Sequence, residues 1–151
     1  MRLAGALLGM SLLVGGCSDP TNPEETRLTA AQRRWDAARS WLNSYGMQQQ
    51  VMCFCPNAAT SYRVTVTAGS ITRAVNLTTG ESMSVISLTM FRTVDQLFTQ
   101  AREGLKRDGV VQSMAFDATL GYPTTLSLDP LRDAVDDEVT YLTSNVAPLV
   151  P

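Results

Sequence analysis

The spacing of apolar residues predicts two amphipathic helices, and the first covers residues 29–44. In this segment apolar side chains recur at intervals of three and four residues, as on one face of a helix. Thr29 and Gln32 have the spacing of a capping box at its start, and Gly46 suits its end. The predicted inner stripe consists of Leu28, Ala31, Trp35, Ala38, Leu42 and Tyr45.

The second predicted helix follows the sequence Thr93-Val94-Asp95-Gln96, which also has the form of a capping box. Asp95 lies in its first turn, where a carboxylate interacts favourably with the helix dipole. Gly109 suits the position just after its end. The predicted inner stripe consists of Val94, Leu97, Phe98, Ala101 and Leu105.

Alternating apolar and polar residues predict short strands around these helices. The predicted strands are Met47–Cys55, Ser61–Ala68, Ile71–Leu77, Val110–Phe116, Thr124–Asp129 and Glu138–Thr143. Gly69-Ser70 is expected to form a type II′ turn, and residues 78–90 a loop or an edge strand. The order helix, three strands, helix, three strands predicts an α+β fold with a mainly antiparallel sheet of five to six strands and both helices on one face. The predicted domain spans 29–146, followed by a tail at 147–151.

The first 16 residues have the pattern of a secretory signal peptide. Arg2 precedes an apolar run that is too short to span a bilayer comfortably. The run ends in Leu13-Val14-Gly15-Gly16-Cys17, which resembles the lipobox of bacterial lipoproteins. That resemblance implies that Cys17 becomes the first mature residue and carries acyl chains that hold the protein at a membrane. Residues 17–28 are then a lipidated cysteine and a flexible tether.

The residue after Cys17 bears on which membrane is involved. Ser18, rather than Asp, follows the cysteine, a pattern that resembles sorting to the outer membrane in Gram-negative bacteria. The predicted location is the cell envelope, at the periplasmic face of the outer membrane if the host is Gram-negative. An ordinary cleaved signal with an incidental cysteine is the alternative.

The charge balance argues against a nucleic-acid partner. Twelve basic residues face fourteen acidic ones, a net charge of −2, and no basic stripe is present to release counterions. The segment 110–151 is locally acidic, with one basic and six acidic residues. No cofactor is expected from this composition, and the sequence contains no histidine.

Once Cys17 is acylated, Cys53 and Cys55 are the two remaining cysteines, in a compartment that favours disulfides. In a regular strand, residues two apart share a face at about 6.6–7 Å, too far for a disulfide without a bend. A local disulfide is therefore one interpretation. Free thiols in a structural role, or a redox or soft-metal site that includes Met52, are the alternatives.

The acidic residues near the C-terminus suggest a calcium site, because carboxylates are the hard oxygen ligands that Ca²⁺ takes. The candidate ligands are Asp129, Asp133, Asp136, Asp137 and Glu138. Their spacing does not match an EF-hand. The competing interpretation is loop architecture, with Asp129 in a turn before Pro130 and Asp136 accepting backbone N–H groups. Asp117 and Glu138 are also considered as an acid/base pair across neighbouring strands.

Two further features have competing interpretations. Trp35 and Trp41 suit either a ligand-stacking pair or large side chains that cover the sheet. The corner Gly121-Tyr122-Pro123 is interpreted as a backbone feature, because glycine permits positive φ and an aromatic residue before proline permits a cis bond. No catalytic constellation is identified, so the protein is not expected to be an enzyme.

Several short motifs, in order along the mature chain, resemble a family of exported bacterial lipoproteins of unknown function. They are Trp41 and Tyr45, Cys53-Phe54-Cys55, Val64-Thr65-Val66 with Gly69, Thr93-Val94-Asp95-Gln96-Leu97-Phe98, Phe116-Asp117, Gly121-Tyr122-Pro123-Thr124, Asp129 and Asp136-Asp137-Glu138. The resemblance implies an exported, usually lipid-anchored domain and supplies no catalytic residues. The expected function is therefore an envelope protein-interaction or accessory binding module, with a Ca²⁺-binding or thiol-redox sensor as the alternative.

Overall fold

The computed structural model describes residues 22–131, 134 and 136–149. Its helices are α1 (Pro23–Ala38) and α2 (Val94–Leu105), with a 3-10 helix at Ile86–Met90. Its strands are β1 (Tyr45–Met52), β2 (Ser61–Thr67), β3 (Ser70–Asn76), β4 (Val111–Phe116), β5 (Pro123–Leu128) and β6 (Val139–Pro148). The predicted order of helices and strands is confirmed.

The six strands form one antiparallel sheet in the order β3-β2-β1-β6-β5-β4, so the predicted α+β class is correct. β1 and β6 lie at its centre and join the two halves of the chain. Met52 pairs with Thr140 and Val111 pairs with Leu128 along one end of the sheet, which we call the Met52 end. The opposite end, where Tyr45 pairs with Val66 and Pro148, is the Tyr45 end.

One face of the sheet packs against both helices. Along β1 the residues Tyr45, Met47, Gln49 and Val51 are buried under the helices. α1 contributes the buried residues Leu28, Ala31, Trp35 and Ala38, and α2 contributes Val94, Leu97, Phe98, Ala101 and Gly104. In the described part of the chain no helix covers the other face, which we call the open face.

The first helix differs from its prediction at both ends. It begins at Pro23 because the Asn22 side chain accepts a hydrogen bond from the Glu24 backbone at 3.0 Å, and Pro23 fits the first turn. The second half of the predicted tether is therefore helical. The helix ends at Ala38. Gly46 therefore does not terminate the helix and lies inside β1.

The connections also differ in detail. The hairpin turn consists of Ala68 and Gly69, both at positive φ, which is a type I′ turn. The prediction of a type II′ turn at Gly69-Ser70 is therefore wrong in type and displaced by one residue. Residues 78–90 contain an isolated bridge from Ser82 to Val75 and the 3-10 helix. β6 runs to Pro148, into the predicted tail.

The second capping box is confirmed. The Thr93 side chain accepts from Gln96 N at 3.2 Å, and Gln96 Oε1 accepts from Thr93 N at 2.8 Å. α2 ends at Leu105, so Gly109, at φ 72°, serves the turn into β4 and not the helix end.

Candidate functional site

The predicted lipid attachment site, Cys17, lies outside the described residues, as does the signal peptide. Both stay predictions. Within the described residues, no helix is long and apolar enough to cross a membrane.

Cys53 and Cys55 form a disulfide immediately after β1, with their Cα atoms 5.3 Å apart. This separation is shorter than the roughly 6.6–7 Å of an extended i, i+2 pair, because the chain leaves the strand at Met52. Ala59 N donates to Val51 O at 3.0 Å and closes the bend. The predicted strand to Cys55 is thus too long by three residues, and the sulfurs occupy a connection instead of a sheet position.

Phe54, between the two cysteines, is 82% exposed. Cys53 packs partly against the core, so the disulfide fixes a short bend whose tip is an aromatic side chain in solvent.

The acidic residues are not gathered into a metal site in the described chain. In the residues that the structure describes, no group of three or more His, Cys, Asp or Glu side chains is arranged to hold a metal ion. Asp136 and Glu138 are exposed, and Asp136 has φ 74°. Asp133 lies outside the described residues, so the calcium site stays a prediction.

Asp137 shapes the loop through its carboxylate, and Asp129 contributes through its backbone. Asp137 Oδ2 accepts from Leu131 N at 2.7 Å, which is the kind of backbone contact expected of Asp136. One oxygen each of Asp129 and Asp137 is buried without a hydrogen-bond partner. Asp129 N donates to Val110 O at 2.8 Å and fastens the start of β4. These contacts favour the loop-architecture interpretation.

The proposed acid/base pair of Asp117 and Glu138 is wrong. Asp117 follows the end of β4 that pairs with Pro123, whereas Glu138 precedes the end of β6 that pairs with Leu128. The two carboxylates therefore lie at opposite ends of β5, separated by roughly five residue steps of about 3.4 Å.

Asp117 instead builds the corner before β5. Its Oδ1 accepts from Thr119 N at 2.9 Å and Leu120 N at 2.6 Å, and its backbone N donates to Tyr122 O at 2.9 Å. Gly121 has φ 81°, as predicted, and the peptide bond before Pro123 is trans. Gly121 approaches the backbone of Ala31 closely, so the corner packs against α1.

Tyr122 is buried within this corner. Burial raises the pKa of its hydroxyl above the ordinary value, and the neighbouring Asp117 carboxylate raises it further.

A polar cluster joins the two helices to β1. Trp35 is buried, its Nε1 donates to Asp95 Oδ1 at 2.9 Å, and its ring meets Tyr45 edge to face at 5.4 Å. Tyr45 Oη accepts from Val94 N at 3.0 Å, and burial raises the pKa of Tyr45 to about 12.

The two tryptophans do not form an exposed pair, because Trp35 is buried and Trp41 is 55% exposed. The ligand-stacking interpretation of the tryptophans is wrong, and Trp41 does not cover the sheet.

Sequence reasoning missed the structural role of Gln49. It is fully buried, its Oε1 accepts from Arg92 N at 2.9 Å, and its Nε2 donates to Arg92 O at 3.0 Å and Thr143 Oγ1 at 3.1 Å. It therefore fastens the segment before α2 to the centre of the sheet. The run of three glutamines masked this position, because its neighbours Gln48 and Gln50 face the other way.

The open face carries those neighbouring glutamines. A shallow depression of about 250 Å³ lies on it. The lining includes Gln48, Gln50, Ser61, Thr124, Leu142 and Ser144. Amide and hydroxyl groups that donate and accept hydrogen bonds dominate this lining, with Leu142 as an apolar contact.

Comparison with known families gives one result that covers most of the chain. Residues 27–148 match a family of unknown function, DUF6174. No curated protein and no solved structure matches the chain. The match begins within α1 at Arg27 and covers the rest of that helix, α2 and all six strands.

Proposed function

We propose that this chain, which belongs to the family of unknown function DUF6174, is a lipid-anchored envelope protein whose domain is a protein-interaction or accessory binding module. The lipobox-like sequence at Cys17 supports the anchor and a location outside the cytoplasm. The open face of the sheet supports the binding role.

The open face is the observation that carries this proposal. A sheet with helices on one side leaves the other side in solvent, and antiparallel sheets tolerate this when the outer side chains are polar. Here the central strands present Gln48, Gln50 and Ser144, with Arg63 beside Gln48 on β2. These groups are suited to hydrogen bonding with a polar partner surface.

Site-specific crosslinking in the envelope tests the binding role. A photo-crosslinking residue replaces Gln48 on the open face in one variant and Arg33, on the exposed side of α1, in a matched control. The proposal predicts a discrete crosslinked product at position 48 and none at position 33. The same products from both positions, or none from either, would exclude the open face as the binding surface.

A thiol-redox sensor is the second candidate, and the Cys53–Cys55 disulfide beside an exposed aromatic tip favours it. The disulfide of a redox sensor must have a reduction potential close to that of its compartment. Structural disulfides in secreted proteins have reduction potentials below about −300 mV. Equilibration in thiol buffers followed by alkylation measures this potential. A midpoint below that value would assign the bond a structural role alone.

A further inference from the structure

Four apolar side chains at the Met52 end are exposed. Phe54 is 82% exposed, Leu131 61%, Met52 46% and Leu77 39%. Phe54 and Leu131 lie in the connections that leave β1 and β5 at this end. Leu77 follows β3, and its backbone N donates to Ser61 O at the start of β2. Three connections therefore carry exposed apolar side chains at this end, beside Met52 at the end of β1. Exposed apolar side chains such as Ile86 also occur elsewhere, so the place where the chain enters the domain decides which end faces the lipid.

The folded domain also begins at this end. Arg27 Nη2 donates to Met114 O at 3.4 Å, and Glu24 lies in a shared cavity with Val111, the first residue of β4. From there α1 runs toward the Tyr45 end, because its Trp35 packs against Tyr45. The chain before Asn22 therefore leaves the domain near the Met52 end.

The length of that chain limits how far the domain can stand from a lipid on Cys17. Five residue steps separate Cys17 from Asn22, which span at most about 18 Å when fully extended. The distance across the sheet from β4 to β1 is three strand spacings, about 14 Å. The distance from β4 to β1 is therefore shorter than the extended tether. With the Met52 end turned toward the bilayer, the tether permits Phe54 to reach the surface.

We propose that the Met52 end, with Phe54 at its tip, docks on the lipid bilayer to which Cys17 attaches the protein. This rests on the lipid anchor of the proposed function. Apolar side chains at such a surface enter to roughly 5–10 Å, at the boundary of headgroups and acyl chains.

The charges near the tip specify the lipid chemistry. Asp136 and Glu138 are exposed in the connection before β6, at the same end. Carboxylates are repelled by a strongly anionic surface and accept hydrogen bonds from an ammonium group. Lys106 and Arg107 are exposed in the connection before β4, at the same end, so charges of both signs lie there. The surface that fits is therefore zwitterionic, with phosphatidylethanolamine headgroups.

Fluorescence quenching of the full-length, acylated protein in vesicles tests this docking. The vesicles contain phosphatidylethanolamine and phosphatidylcholine, with bromine on the acyl chains of a portion of the lipid. Phe54→Trp places a reporter at the tip. Ile86→Trp is the matched control, because Ile86 is 85% exposed and its neighbour Val85 lies beside the hairpin turn at the Tyr45 end. The unchanged protein gives the background of Trp35 and Trp41.

The additional emission of each variant is its tryptophan fluorescence minus that of the unchanged protein. In the docked orientation, brominated lipid lowers the additional emission of Phe54→Trp by about twofold or more, as expected for a residue at the acyl boundary. The additional emission of Ile86→Trp stays unchanged. Equal quenching of both reporters, or quenching of neither, would overturn the proposal. A change in Phe54→Trp emission that requires another envelope protein would assign this end to a protein partner instead.

Intact mass and flotation separate the two proposals. Acylated protein that floats with the vesicles but shows no quenching at position 54 retains the anchor and refutes the docking. Protein without an acyl mass that stays with the soluble fraction refutes the anchor, and with it the docking that depends on it.

Discussion

Gly121 provides the sharpest test of the packing between the corner and α1. A Cβ added at this position would lie 2.2 Å from Ala31 O and 2.9 Å from Arg34 Cβ, and the backbone has φ 81°. Gly121→Ala therefore adds both a left-handed backbone penalty of about 1–2 kcal/mol and overpacking of about 1–3 kcal/mol.

The expected loss is about 2–5 kcal/mol in the free energy of unfolding, a large part of the roughly 5–15 kcal/mol typical of a domain. Gly80→Ala is the matched control. Gly80 has φ 76° but no atom within 4 Å of the added Cβ, so this variant carries the backbone penalty without the collision. Urea unfolding of both variants, followed by far-UV circular dichroism, measures the difference. Equal destabilisation of the two variants would refute the close approach of the corner to α1.

Three other predictions follow from the buried polar groups and the disulfide. Gln49→Leu leaves Arg92 N and Arg92 O without partners and should lower the free energy of unfolding by about 2–4 kcal/mol, whereas Gln48→Leu, on the open face, should change it little; similar losses in urea unfolding would contradict this role. Because burial raises the pKa of Tyr45 to about 12 from 10, its contribution to stability is complete below pH 10 and is lost as pH rises from 10 to 12, up to about 2–3 kcal/mol. Tyr45→Phe should therefore show a shallower alkaline decline in the free energy of unfolding, and an identical decline would reject that assignment. Reduction of Cys53–Cys55 opens a very short loop and should lower stability by no more than about 2 kcal/mol, so thermal unfolding with a reductant should show a domain that still folds.

The sequence predicted best those elements whose signals are local. The capping box at Thr93 and Gln96 completes its own hydrogen bonds within four residues, and α2 begins where it was expected. The strand β2 alternates clearly because one of its sides faces the core, whereas β3 has an irregular pattern with Ala74 as its buried residue. Their pairing needed only a short turn.

The buried face of the first helix was predicted correctly, but its first and last residues were not. Its buried residues were predicted, but the apolar spacing continued by coincidence through Leu42 and Tyr45, which are buried outside the helix. Asn22 and Pro23 are stronger start signals than Thr29, yet their polar surroundings suggested a tether.

The arrangement of distant residues required the topology. Asp117 and Glu138 were paired by assuming that they flank neighbouring strand ends, but β5 lies between β4 and β6 and separates them along its length. The burial of Gln49 depends on Arg92, which is 43 residues further along the chain. No local pattern indicates such a contact.

The central claim is that Cys17 holds this domain at a membrane. Its most direct test is the intact mass of the protein after expression of the full precursor in a bacterium, measured on membrane and soluble fractions beside Cys17→Ser. The account predicts a membrane-bound chain that begins at residue 17 with added acyl mass, and a Cys17→Ser variant without that mass. A soluble chain with no added lipid, or acylation that persists in Cys17→Ser, would contradict it.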